Sequence, residues 1–259
     1  MLVAGVDVGA ATAKSAILSE NGLCSYAIMP TGFDVIRVSH EVVEMALEKV
    51  GCHLEDLERI VSTGYARNSI PFANRTVTEI LCHAKGANFL RSEARTVIDI
   101  GGQDSKVIRL NGTGDVLDFV MNDKCAAGTG RFFEVMARVL QVEISEMGPI
   151  ALKSENPCPV SSTCTVFAET EMVSLRAEGK TREDILAGIH KAAALRITTM
   201  GRAVGFVKQV MLTGGVAKNV GMKKFLEDKI KMEIVIPEEP QIVGALGAAL
   251  YAHAELSKS

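Results

Sequence analysis

Tryptophan is absent from the 259 residues, and only three Tyr and nine Phe supply aromatic surface, which argues against a stacking platform for sugars or nucleobases. No apolar run approaches the ~20 residues needed to cross a bilayer. The chain starts without a basic n-region and runs straight into a β-like stretch, so no signal peptide is read there. Charge of one sign is not in excess, and a net charge of -3 leaves no electrostatic footprint for nucleic acid. The six cysteines, at 24, 52, 82, 125, 158 and 164, contain no Cys-x-x-Cys pair, which excludes a complete zinc finger or a four-cysteine cluster motif within one chain. In an unsecreted chain they are expected as reduced thiols or metal ligands rather than disulfides. Low-complexity stretches are missing too, and the 47% hydrophobic content supports one large domain or two modest ones.

What the chain does contain is a motif written twice, 92 residues apart: Val6-Asp-Val-Gly-Ala-Ala-Thr-Ala-Lys14 and Ile98-Asp-Ile-Gly-Gly-Gln-Asp-Ser-Lys106. In each copy a β-rich run ends in Asp-Val/Ile-Gly, turns through small or polar residues and reaches a lysine. Another β-like run follows, then an Asn-Gly turn at 21–22 and again at 111–112. Internal similarity of this kind indicates one structural unit built twice. Two such glycine turns, each with exposed amides and a carboxylate, suit the phosphates and metal of one nucleotide.

The periodicities predict strands at 2–8, 15–19 and 24–29, a helix at about 33–50, a strand at 59–62 and a helix over roughly 76–90. The second half repeats the opening with strands at 96–100, 106–110 and 115–121. Helices near 126–140 and 182–203, a strand at 209–212, a helix near 219–229, a strand at 234–236 and a helix near 242–256 complete the prediction. Two α/β halves with a cleft between them are expected.

Gly9 to Lys14 lacks the second glycine and the Gly-Lys-Ser/Thr ending of a P-loop, and no helix follows it. The hairpin turn remains a candidate anion nest through Ala10, Ala11, Thr12 and Ala13, with Lys14 as a phosphate contact. Asp7 and Asp104 are candidates to hold Mg²⁺ through water. Gln103, beside Gly102, is a candidate to orient the attacking water, because an amide both donates and accepts. A third glycine turn, Met211-Leu-Thr-Gly-Gly-Val-Ala-Lys-Asn219, follows a strand and opens a helix, and Gly214 and Gly215 there allow close backbone approach to a nucleoside. The final Gly244-Ala-Leu-Gly-Ala-Ala-Leu-Tyr251 places small residues at helical spacing, suited to a close helix crossing between lobes.

These three turns and the small-residue last helix resemble the sugar kinase, heat-shock-70 and actin superfamily of ATPases over the whole chain. The resemblance implies an α/β fold of duplicated ribonuclease-H-like lobes with ATP in the cleft: a first lobe at 1–94, a second at 95–243 and a helix at 244–259 crossing back to the first.

The superfamily leaves two strings unexplained, Asn122-Asp-Lys-Cys125-Ala-Ala-Gly-Thr-Gly-Arg-Phe132 and Ser161-Ser-Thr-Cys164-Thr-Val-Phe-Ala-Glu169. Cys125 is expected at the positive end of the helix at 126–140, which lowers a thiol's pKa and suits metal ligation. Cys164 is expected in a Ser/Thr-rich turn whose hydroxyls donate to sulfur. Two thiolates are half of an iron–sulfur cubane's ligands, and a two-fold dimer supplies the rest. Cys24, Cys52 and Cys82 read as small buried hydrophobes, and Cys158, between Pro157 and Pro159, as an unrelated exposed thiol in preference to a spare cluster ligand.

Together with Ile98-Asp-Ile-Gly-Gly-Gln-Asp104, these strings are similar to the activators of 2-hydroxyacyl-CoA dehydratases, a family that also contains the ATPase subunits of benzoyl-CoA reductase. The resemblance implies a cytoplasmic homodimer using ATP/ADP and Mg²⁺, with one [4Fe-4S] cluster per homodimer held by Cys125 and Cys164 of each subunit. It also implies electrons from ferredoxin or flavodoxin and delivery, driven by ATP hydrolysis, to a dehydratase, a benzoyl-CoA reductase or a double-cubane protein. The family's nucleotide site carries over to Ala10 through Lys14, Gln103, the Gly214–Gly215 turn and Gln241. Three departures mark this chain: Ala10 stands where members often carry Ser, Tyr65-Ala-Arg replaces Tyr-Gly-Arg, and Cys158 is additional. A small-molecule kinase of the same fold, or a nucleotide sensor without catalytic function, explains the three turns but not the cysteine strings.

Overall fold

β1 (Leu2–Val8) is buried over nearly its whole length because it is covered on both faces. In a computed structural model that describes residues 1–161 and 164–256, β1 pairs antiparallel with β2 (Thr12–Ser19), which pairs antiparallel with β3 (Gly22–Pro30). After α1 (Val35–Glu48), β4 (Arg59–Thr63) lies parallel on the other side of β1 and β5 (Arg75–Thr76) parallel beside it, giving a five-stranded sheet in the order β3-β2-β1-β4-β5. Strand alternation sends Ala4, Val6 and Val8 toward Val38, Val42 and Ala46 of α1. Val3 goes the other way, toward Cys82 of α2 (Glu79–Leu90) and Ala245 and Ala249 of α8 (Val243–Leu256). α1 starts where the Asp34 carboxylate accepts the Arg37 amide.

The second sheet repeats the design. β6 (Thr96–Ile100), β7 (Ser105–Leu110) and β8 (Val116–Asn122) take the places of β1 to β3, while β9 (Val210–Thr213) and β10 (Ile234–Val235) take those of β4 and β5, in the order β10-β9-β6-β7-β8. Its core packs Ile98, Ile100 and Val107 against α3 (Gly130–Leu140), α4 (Met147–Ala151), α5 (Thr165–Ala177), α6 (Arg182–Gly201) and α7 (Val220–Ile230). The chain divides into one unit of Met1–Val97, Leu110–Leu117 and Pro237–Ser259 and another of Ile98–Arg109 and Asp118–Ile236. Among the described residues no helix is long and apolar enough to cross a membrane.

The small residues of α8 serve contact inside the first unit. A side chain on Gly247 would strike the Cys82 carbonyl of α2, and one on Gly5 of β1 would strike the Ala245 carbonyl. The prediction lacks α4, α5 and β5. It also starts the third helix four residues early: Gly128 has φ +83°, outside the helical region, and Thr129 turns its hydroxyl to the Ala126 carbonyl (2.7 Å). β2 begins at Thr12 rather than 15, so Ala13 and Lys14 are strand residues, and Ala13 points into the core with no exposure.

Candidate functional site

The first turn is closed by the Gly9 amide donating to the Thr12 carbonyl (3.1 Å). Asp7 and Lys14 are partners across the hairpin, and the Lys14 ammonium donates to Asp7 Oδ2 at 3.2 Å. Thr31 braces the turn from β3's end, its hydroxyl donating to the Gly9 carbonyl (2.7 Å) and its amide to that of Ala11 (3.0 Å). Gly64 and Gly244 give Asp7 its room: a Cβ on the former would lie 2.5 Å from Oδ1 and one on the latter 3.0 Å from Oδ2. Ala10 and Ala11, at the tip, are exposed.

The second turn closes identically, Gly101 amide to Asp104 carbonyl (3.0 Å). The lysine–aspartate pair also recurs at 3.2 Å, between Lys106 and Asp99. The twin of Asp7 is therefore Asp99, and Asp104 occupies the place of Thr12. Asp104 adds a second carboxylate 2.6 Å from the Lys106 ammonium. Gln103 at the tip is exposed. The carbonyls of Gly101 and Gly102 accept the amides of Gly130 (2.9 Å) and Arg131 (2.8 Å), so this turn is bonded directly to the start of α3.

The third turn joins the second through Asp99, whose Oδ1 accepts the Thr213 hydroxyl at 2.9 Å. Gly214 adopts φ +83°, and a Cβ there would lie 2.9 Å from Asp99 Oδ1, so glycine is required on both counts. Gly215 is exposed, and Asn219 caps α7 by accepting the Met222 amide (3.1 Å). Gln241 lies in the first unit, two residues before α8. The structure thus joins Gly102, Gln103 and Asp104 to Gly214 and Gly215 within the second unit, while Asp7, Ala10 through Lys14 and Gln241 belong to the first. Sequence reasoning missed Asp99 and Lys106 as site residues; hairpin register is the signal that identifies them.

Beneath the third turn, His190 of α6 is fully buried, with Nδ1 2.7 Å from the Leu186 carbonyl and Nε2 3.1 Å from the Asn219 side-chain oxygen. Burial pushes its pKa below the ordinary value, although both oxygens pull the other way. An imidazole held neutral when folded but free to protonate when unfolded lowers stability as pH falls through the unfolded value of about 6.5. Acidification from about pH 7.5 to about pH 5.5 is therefore expected to lower the denaturant midpoint of the wild type more than that of a folded His190→Gln variant.

The cysteines differ from expectation. Cys164, not Cys125, stands at a helix start: it is the residue before α5, its carbonyl accepting the Ala168 amide (3.0 Å). The Ser162 and Thr163 hydroxyls expected around it lie outside the described residues. Cys125 is half-buried in the loop before α3, its carbonyl accepting the Asn122 side-chain amide (2.7 Å). Cys158 is buried rather than exposed (5%) because segment 158–160 lies against Gly188 of α6, where a Cβ would meet Val160 Cγ2 at 2.8 Å. Of the three read as buried hydrophobes only Cys82 is fully so, its thiol pushed up to about 12 by burial; Cys24 is exposed on β3 and Cys52 half-buried. Apolar side chains flank both loop cysteines: Leu117, Phe119 and Met121 alternate along β8 before Cys125, and Val166, Phe167 and Val173 lie exposed on α5 after Cys164. Among the described residues no group of three or more His, Cys, Asp or Glu is placed to hold a metal ion, and two thiols per chain fall below that count.

The model of the BadF/BadG/BcrA/BcrD ATPase family matches residues 4–252. The chain is 44% identical to the 2-hydroxyisocaproyl-CoA dehydratase activator of Clostridioides difficile, covering 100% of this chain and 97% of the other. Among solved structures, the activator of the 2-hydroxyisocaproyl-CoA dehydratase from Clostridium difficile with bound ADPNP superposes with a TM-score of 0.93 at 42% identity, covering 100% and 96% of the two chains. An ROK hexokinase from Thermus thermophilus, at 16% identity and a TM-score of 0.55 over 100% of both chains, shares the fold alone.

Proposed function

Because the chain belongs to the BadF/BadG/BcrA/BcrD ATPase family, we propose that it hydrolyses ATP to drive single electrons, at low potential, into a partner iron–sulfur enzyme. The partner is a 2-hydroxyacyl-CoA dehydratase, a benzoyl-CoA reductase-like enzyme or a double-cubane protein, and the electron donor is ferredoxin or flavodoxin. The observation that carries this reading is the pair of hydrogen bonds from Gly130 and Arg131 to Gly101 and Gly102. They tie a nucleotide turn to the helix that begins five residues after Cys125.

In this reading the amides of Ala10, Ala11 and Thr12 cradle phosphate oxygens, Ala13 being sealed in β2, and Lys14, the more accessible of the two turn lysines (14% against 2%), contacts them as a cation. Asp7 and Asp104 hold Mg²⁺ through water. Exposed Gln103 orients the water that attacks the γ-phosphorus, releasing ADP. Gly214 and Gly215 let backbone approach the nucleoside, and Gln241 adds a side-chain amide. The thiols of Cys125 and Cys164 suit an iron–sulfur cluster: neither is in a disulfide, and both are partly accessible. Held by these two residues from each of two chains, the [4Fe-4S] cluster supplies a one-electron carrier. The exposed Phe167 (67%), three residues after Cys164 in sequence, and Phe119 (50%), six before Cys125, suit coverage by a second copy.

Protein purified without oxygen is expected to contain about two iron atoms and about two acid-labile sulfides per chain, in a particle of dimer mass measured in the same run. Iron-free protein that still hydrolyses ATP would reject the electron-transfer reading in favour of a kinase or sensor.

A further inference from the structure

The duplicated turns are alike in backbone and unlike in charge. In the first, one lysine faces one aspartate, Lys14 and Asp7. In the second, one lysine faces two, because Asp104 replaces the threonine of the first copy, and Lys106 touches both Asp99 Oδ2 (3.2 Å) and Asp104 Oδ2 (2.6 Å). The second lysine is also sealed: its side chain is 2% exposed, as against 14% for Lys14. A buried ammonium is stable only when carboxylates compensate it, so Lys106 is committed to this pair. The pair is fixed in turn. Asp99 is 4% exposed and also held by Thr213, and the Asp104 carboxylate lies against Gly101, where a Cβ would be 2.5 Å from Oδ1.

We propose that Lys106 is an internal cation that keeps a divalent metal away from the Asp99–Asp104 carboxylates until a nucleotide arrives. The inference rests on the nucleotide reading above. Two carboxylates and one ammonium sum to one negative charge. A divalent ion alone would turn that into a net positive charge beside a desolvated ammonium, which Coulomb repulsion opposes at short range. The several negative charges of nucleotide phosphates reverse the balance, so the metal enters with the phosphates. Lys106 is thus a positioning residue that acts through Asp104 and imposes an order of binding.

Mn²⁺ is the probe, and protein-bound Mn²⁺ is counted after equilibrium dialysis against matched Mn²⁺ and ADP, because ADP also takes up Mn²⁺ in solution. Wild-type protein is expected to bind Mn²⁺ at least about tenfold more weakly without ADP than with it. Lys106→Met is expected to bind Mn²⁺ without ADP at least about tenfold more tightly than wild type, with Lys106→Arg restoring wild-type behaviour. Wild type that binds Mn²⁺ equally well with and without ADP overturns the proposal, and so does a folded Lys106→Met no tighter than wild type. Should Lys106→Met not fold, Lys106→Gln is measured in its place, and a folded Lys106→Gln no tighter for Mn²⁺ without ADP than wild type overturns the proposal. Wild type that binds neither ADP nor Mn²⁺–ADP instead overturns the nucleotide reading.

Discussion

Cys125→Ser protein, prepared without oxygen, is expected to carry almost no iron and to pass no ATP-dependent electrons to a partner enzyme, while its nucleotide turns still bind ADP. A serine hydroxyl stays protonated at neutral pH and is a poor iron ligand beside a thiolate. In the proposed reading, loss of one residue per chain removes two ligands from a cluster shared by two chains. The fold is expected to survive. Cys125 lies half-buried in a loop, and its carbonyl, not its sulfur, accepts the Asn122 side-chain amide. Cys164→Ser is expected to behave alike, because Cys164 also meets its helix through its carbonyl. Iron and sulfide analysis with ADP calorimetry on the same sample checks both variants. A Cys125→Ser dimer with a full complement of iron would remove Cys125 from the ligand set.

Asp99→Ala is expected to cost about 3–5 kcal/mol of stability, the usual loss when one partner of a buried ion pair is deleted. It leaves the Lys106 ammonium in the core with Asp104 and takes the acceptor from the Thr213 hydroxyl. It also cuts the bond between the second and third turns. ADP affinity in the fraction that folds is therefore expected to drop by about tenfold or more, a difference of about 1.4 kcal/mol. Asp99→Asn, which keeps an acceptor for Thr213, is expected to lose less on both counts. Chemical denaturation and calorimetry separate the two effects. A stability loss below about 1 kcal/mol for Asp99→Ala would mean that Lys106 finds compensation elsewhere.

The turns and the folding pattern around them were legible because glycine and aspartate at fixed places leave few alternatives for the backbone. α1 was legible because Val38, Val42 and Ala46 mark one face cleanly. α5 was not. Its core face is Ala168, Met172 and Leu175, but Val166, Phe167 and Val173 lie on the outside, and apolar residues on both faces hide the period. A helix whose outer face is apolar within its own chain is read poorly for the same reason that it suits association. Asp99 was overlooked for a different cause. The spacing already sets Asp99 on Asp7 and Lys106 on Lys14, but the second motif offers two carboxylates, and the turn residue Asp104 draws the metal assignment in place of the strand residue. The burial of Cys158 was not legible because it depends on Gly188, far along the chain, which opens a seat for that segment on α6.

α8 closes one face of the first sheet, against β1 and α2, yet it is encoded far downstream of both. During synthesis the strands of residues 2–63 emerge first with Val3, Ala16, Leu18 and Val61 uncovered on that face. α2 covers part of that face early through Cys82, but the part that Ala245, Leu246, Ala248 and Ala249 cover waits while the whole second unit is made. Exposed apolar sheet in a growing chain is an aggregation hazard. The order in which this chain is made is thus the reverse of the order in which its first unit can be finished, and a product arrested before position 237 carries a half-covered sheet as its mark for capture by chaperones.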